Sequence, residues 1–136
     1  MTLSKAEREA LRMMFGGLCA YCGCELGAKW HADHVKPIYR SWPIAPDQNG
    51  LLAGRGKDVI ENLFPACAAC NLFKSVYDLE TWREEIAKQV ERARKKSFNF
   101  RFAEAFGLVA ETGKPVVFWF EKWRTEHSPV RTQDAL

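Results

Sequence analysis

The chain has 136 residues, 47% of them hydrophobic and 27% charged, the proportions of one ordinary soluble domain built around a single core. Its longest strongly apolar run, "VVFWF", is far short of the roughly 20 residues a membrane helix requires, and the opening "MTLSKAEREALR" carries no apolar signal region, so no membrane partner and a cytosolic (cytoplasmic) location are expected. A formal net charge of +3 permits nucleic-acid binding without demanding it.

Ser4 followed by Glu7 has the spacing of a capping box, and Leu11, Met14 and Phe15 form an apolar stripe, so a short helix is predicted that stops at Gly16-Gly17. It delivers the chain to the first of two C-x-x-C pairs, Cys19/Cys22 in "LCAYCG"; the second is Cys67/Cys70 in "PACAACN". Cytosolic thiols stay reduced, and two such pairs suit one tetrahedral zinc ion better than disulfides or redox chemistry. A structural Zn²⁺ is therefore expected on Cys19, Cys22, Cys67 and Cys70. Cys24 is left over; it could replace Cys22, but the glycine turn after "YC" favours Cys22.

Between the pairs, "AKWHADHV" is predicted to be a strand, and "KPIYRSWPIAPDQNGLLAGRGKD" is a long loop rich in proline, glycine and asparagine. Loops of that length usually carry function. "VIENLFPACAAC" returns to the second pair, and "NLFKSVYDLETWREEIAKQVERARKK" is predicted to be largely helical, with Asp78 as a helix start and Trp82, Ile86, Val90 and Ala93 on a core-facing stripe. A further helix is predicted over "FRFAEAFGLVA". "VVFWFEKW" is β-branched and aromatic, which favours a strand, although Trp119 and Trp123 at i, i+4 also fit a helix. The expected organisation is a core over residues 1–96, an extension over 97–126 packed on the same domain, and a disordered tail over 127–136.

The chain has 3 histidines, and two of them, His31 and His34, fall with Asp33 inside "WHADHVKP". If one zinc ion joins the two cysteine pairs, this motif must fold back against "ENLFPACAACNLFK". Neighbouring helical residues differ by about 100° in direction, so Cys70 can face zinc while Asn71 faces elsewhere, with Lys74 on Asn71's side. Asp33, His34, Asn62, Asn71 and Lys74 would then converge beside the structural metal.

These residues resemble the HNH endonucleases. The family's acidic-histidine pair with a hydrophobic residue and a proline after it is similar to Asp33-His34-Val35-Lys36-Pro37, its central asparagine to Asn62 in "IENLFP", and its third signature position to Asn71 directly after the last cysteine. The resemblance runs from Cys19 to Lys74 and is far more specific than a lone C-x-x-C. It implies an α+β fold: a ββα-metal core stapled by a four-cysteine zinc site, with a flanking N-terminal helix and a C-terminal helical or strand extension.

The resemblance also implies phosphodiester hydrolysis in DNA, leaving a 5′-phosphate and a 3′-hydroxyl. His34 would be the general base, since an imidazole can accept a proton near neutrality. Asp33 and Asn71 would hold a catalytic divalent ion, and oxygen donors suit Mg²⁺ or Mn²⁺. Asn71 stands where histidine is commoner in the family, which shifts preference further toward hard cations. Asn62 would hold the loop carrying His34, and Lys74 would reach the phosphate. Lys36, Arg40, Arg55 and Lys57 surround the motif as candidate DNA contacts. A small nuclease of this kind would suit a phage, a restriction system or a mobile element. The competing reading is a zinc-stapled nucleic-acid-binding module without turnover.

Overall fold

A computed structural model describes residues 2–38 and 56–127. Two compact units divide them: one runs to Asp78 and resumes at Val117, the other is Leu79–Val116. The boundary expected after residue 96 falls inside the second unit, in the joint between two of its helices.

The first unit begins with α1 (Lys5–Arg12). Its N-terminus closes as a capping box: the Glu7 amide donates to Ser4 Oγ at 3.0 Å and the Ser4 amide to Glu7 Oε1 at 2.9 Å. Leu11 on its inner face is buried. Gly16 and Gly17 follow with φ of 78° and 80°, a left-handed path that Cβ-bearing residues resist.

Next come β1 (His31–His34), β2 (Leu63–Ala66) and α2 (Ala68–Lys74). The strands pair antiparallel with His31 opposite Ala66 and His34 opposite Leu63. A 3-10 turn, Ile60–Asn62, leads into β2. All four residues of β2 are buried, which is why "LFPA" reads as a continuous apolar run rather than an alternating one. The result is α+β: a two-stranded antiparallel sheet with helices around it.

The segment "VVFWFEKW" differs from the strand expectation. Trp119–Glu126 is helical, α6 in chain order. The Phe118 amide donates to Glu121 Oε1 at 2.9 Å, starting a helix whose i, i+4 tryptophans lie 6.4 Å apart. Helical spacing won over β propensity because the two buried aromatics, Phe118 and Phe120, reach the core from the helix start. Their backbone is tied there: the Trp119 amide donates to the Tyr21 carbonyl at 2.9 Å and the Phe120 amide to the Ala20 carbonyl at 2.7 Å. Phe64 packs edge-on against Phe15 and at a tilt against Phe120, with ring centroids 5.0 and 4.9 Å away. Such pairs contribute about 0.5–1.5 kcal/mol each beyond their buried area.

In the second unit, the predicted helical run is broken into α3 (Leu79–Ala87) and α4 (Gln89–Lys96), and α5 (Phe98–Ala105) follows. Trp82 is buried, whereas Ile86, Val90 and Ala93 are half-exposed. Ser97 caps α5 by accepting the Phe100 amide at 3.0 Å, and Arg94 on α4 donates to Glu104 on α5 through Nε at 2.8 Å and Nη2 at 2.6 Å.

Candidate functional site

Cys19, Cys22, Cys67 and Cys70 place their sulfurs within 4.8 Å of one another. Thiolates about 2.3 Å from a tetrahedral ion lie about 3.8 Å apart, and Cys22 and Cys67 sulfurs are separated by 3.8 Å. Main-chain donors point at the cluster: the Tyr21 and Cys67 amides lie 3.4 Å from Cys19 Sγ, and the Cys70 amide lies 3.4 Å from Cys67 Sγ. Such donors stabilise thiolates. Gly23, at φ 79°, sits in the turn after Cys22 that returns the chain to Cys19: its amide donates to the Cys19 carbonyl at 3.0 Å, and the Cys19 amide donates to the Cys24 carbonyl at 2.8 Å. The donor set fits zinc in chemistry, number and spacing. Cys24 lies outside the four, with its thiol pushed up to about 12 by desolvation and by its hydrogen bonds to Cys22 and Cys67.

Within the cluster, a hydrogen bond from Cys70 pulls the Cys19 thiol down to about 4, and the same bond and burial push Cys70 up.

The clasp joins Cys67, the N-cap of α2, to the knuckle before β1, so α2 lies against β1. Asp33, His34 and Asn71 consequently line one open cleft of about 310 Å³, with Pro37, Ile38 and Ser75 around them. These three expected site residues come together. Asp33 is only 6% exposed. Its Oδ2 accepts from the Tyr21 hydroxyl at 2.5 Å and pairs with the Lys74 ammonium at 3.1 Å. Both bonds fall on one oxygen, leaving Oδ1 as the donor that Asp33 can offer an ion. With the half-buried Asn71 amide beside it, the set is one of oxygen donors suited to a hard cation.

Lys74, expected at the phosphate, sits elsewhere. Its side chain is fully buried and its ammonium donates to the His34 carbonyl at 2.7 Å while pairing with Asp33. The i, i+3 geometry places it on Asn71's side of α2, but that side packs on β1, and the ammonium stays beneath the cleft. Burial pushes it below the ordinary lysine range, against the pull of the Asp33 carboxylate. Burial and the Asp33 charge push the Tyr21 phenol up, so it remains a donor.

Asn62 fastens two stretches of chain. Its Oδ1 accepts the Lys36 amide at 3.0 Å, and its Nδ2 donates to the Lys36 and Lys57 carbonyls at 2.9 and 3.0 Å. Gly56 packs into this clamp, where an added Cβ would overlap the Lys36 carbonyl oxygen. Lys36 and Lys57 are exposed on either side, and Arg40 and Arg55 lie outside the described residues. His31 is exposed at the start of β1.

Two contacts escaped sequence reasoning. Tyr21, hidden inside "CAYC", reaches Asp33, and Asp58 lies 2.8 Å from His34 Nε2 through its Oδ1. Nothing in the spacing announces either, because each partner is brought over by the clasp or by the pairing of the Gly56 amide with the Pro37 carbonyl at 2.8 Å.

The site is thus a small antiparallel ββα arrangement closed by four cysteines that could hold one metal ion, with an Asp-His pair on its first strand. The HNH endonuclease family model matches residues 19–76, the stretch from the first clasp cysteine to just past α2, in agreement with the resemblance read from the sequence. The match makes this segment similar to the HNH endonucleases. Searches of curated proteins and of solved structures gave no match. Among the described residues, no helix is long and apolar enough to cross a membrane.

Proposed function

We propose that the protein is a metal-dependent DNA endonuclease that hydrolyses the phosphodiester at the cleft between β1 and α2. The observation that carries this reading is the meeting of Asp33, His34 and Asn71 on one cleft, directly beside a separate four-thiolate site. A structural staple alone needs no carboxylate, imidazole and amide at one opening.

His34 takes the proton from the attacking water, Asp33 and Asn71 are the residues that would hold Mg²⁺ or Mn²⁺, and Asn62 fixes the loop that follows His34. Such an ion, when bound, supplies Lewis-acid stabilisation of the charge that develops on the phosphate and the departing 3′ oxygen. Lys74 and Tyr21 hold Asp33 in place from beneath. Lys36 and Lys57, exposed near the cleft, are suited to backbone phosphates and would give salt-dependent, weakly sequence-selective binding.

The test is cleavage of supercoiled plasmid by the zinc-loaded protein with Mg²⁺, Mn²⁺ or EDTA, alongside His34→Ala. Nicking that requires the divalent ion and disappears in His34→Ala supports the reading. Equal nicking by both proteins removes His34 from the chemistry. DNA binding without cleavage under any divalent ion leaves the rival, a zinc-stapled binding module.

A further inference from the structure

His34 borders two openings: the cleft shared with Asp33 and Asn71, and a second of about 420 Å³ that it shares with Asp58, Arg8 and Thr2. His34 is thus the residue shared by the proposed reacting centre and the opening that holds Asp58. The Nε2 nitrogen is 2.8 Å from Asp58 Oδ1, and the two side chains are 19% and 36% exposed. A carboxylate can only accept, so the nitrogen facing it must carry the hydrogen, and in the neutral imidazole Nδ1 then keeps its lone pair.

The bond is held from both sides by one residue. Asn62 accepts the Val35 amide through its main-chain carbonyl at 2.9 Å and binds Lys36 through its side chain, fixing the chain just after His34. The same side chain binds the Lys57 carbonyl, next to Asp58. The Gly56 amide bonds the Pro37 carbonyl at 2.8 Å and closes the frame. A bond between two surface side chains is usually weak and variable; here both backbones are pinned within two residues of it.

We propose that Asp58 is a positioning residue that holds His34 in the Nε2–H tautomer, so that Nδ1 is the atom that receives the water's proton. The inference rests on His34 being the general base. In the step it serves, a water O–H bond breaks and its proton passes to Nδ1. The oxygen forms a bond to phosphorus as the bond to the 3′ oxygen breaks, and solvent protonates that leaving oxygen. The imidazolium faces the Asp58 carboxylate until it returns its proton to solvent.

The experiment uses the full zinc-loaded chain, wild type and Asp58→Ala, with steady-state plasmid cleavage in Mg²⁺ and long-range ¹⁵N–¹H spectra of ¹⁵N-histidine-labelled protein. Loss of the orienting carboxylate is expected to lower kcat about 10- to 100-fold with KM within about threefold, a split that marks a lost transition-state role. The spectra are expected to give His34 as Nε2–H in the wild type and as a tautomer mixture in Asp58→Ala. Unchanged kcat, a loss carried by KM alone, or identical tautomers in the two proteins would overturn the inference. If the wild type cuts no DNA with Mg²⁺ or Mn²⁺, the endonuclease reading fails separately, and the tautomer comparison still decides whether Asp58 sets the imidazole.

Discussion

The Lys74 ammonium lies 3.1 Å from Asp33 Oδ2 with both side chains withdrawn from solvent, at 0% and 6% exposure. One buried cation thus fixes the carboxylate proposed to hold the catalytic ion, and the same ammonium reaches the carbonyl of His34. Removing one member of a buried pair strands the other, at a cost of about 3–5 kcal/mol. Lys74→Met, similar in volume, is expected to lose about that much in urea unfolding with zinc saturating. A loss under about 1 kcal/mol would mean that Tyr21 alone suffices to hold Asp33.

The four cysteines of the first unit could hold zinc. Binding requires thiolates, and burial is the first cause that keeps Cys22 in its thiol form, while the bond to Cys19 does so for Cys70. Uptake of the ion should release those protons, and apparent affinity should fall as pH is lowered. Cys67→Ser is expected to lower zinc content and the melting temperature together, and Cys24→Ser to change neither. Equal zinc loss in Cys24→Ser would place the wrong sulfur in the clasp.

Ser75 lies at φ 47°, ψ −119° directly after α2, and the Tyr77 amide donates to the Lys74 carbonyl at 2.8 Å. That is a tight turn with its first central residue in the II′ region, which glycine adopts far more readily than serine. Such strain costs about 1–3 kcal/mol. Ser75→Gly is expected to recover part of it and raise the melting temperature; a decrease would show that the hydroxyl contributes more than the turn costs.

Acid should act on the second unit through its ion pairs. Bonds to Arg94 hold Glu104 below the ordinary carboxylate range, and bonds to Arg92 do the same for Glu85. A carboxyl whose folded pKa is depressed stabilises the fold fully above its unfolded pKa, and that contribution disappears as pH falls through the folded value. Glu104→Gln should therefore melt below the wild type at neutral pH and converge with it in acid, with the gap narrowing in high salt. A gap that widens in acid contradicts this sign.

The four-cysteine cluster and the meeting of Asp33, His34 and Asn71 on one cleft were legible because two C-x-x-C pairs that come together make what lies between them fold back. The N-cap at Ser4 was equally local. Lys74 was not legible, because spacing gives the side of a helix but not whether that side meets solvent or a strand. Trp119–Glu126 misled because aromatic and β-branched content favours strands, while the burial of Phe118 and Phe120 against Tyr21 and Phe64, a tertiary fact, decided for a helix. Asp58 and Tyr21 depend on contacts 24 and 12 residues apart in sequence, which no local pattern encodes.

The central claim is that two different metal sites lie side by side, one of sulfur and one of oxygen. Diffraction from crystals of the zinc-loaded protein soaked in Mn²⁺, recorded at the absorption edges of both metals, tests it most directly. The account predicts a zinc peak among Cys19, Cys22, Cys67 and Cys70 and a manganese peak beside Asp33 and Asn71, facing His34. Manganese absent from that cleft, or zinc in place of it with the thiols empty, would contradict it.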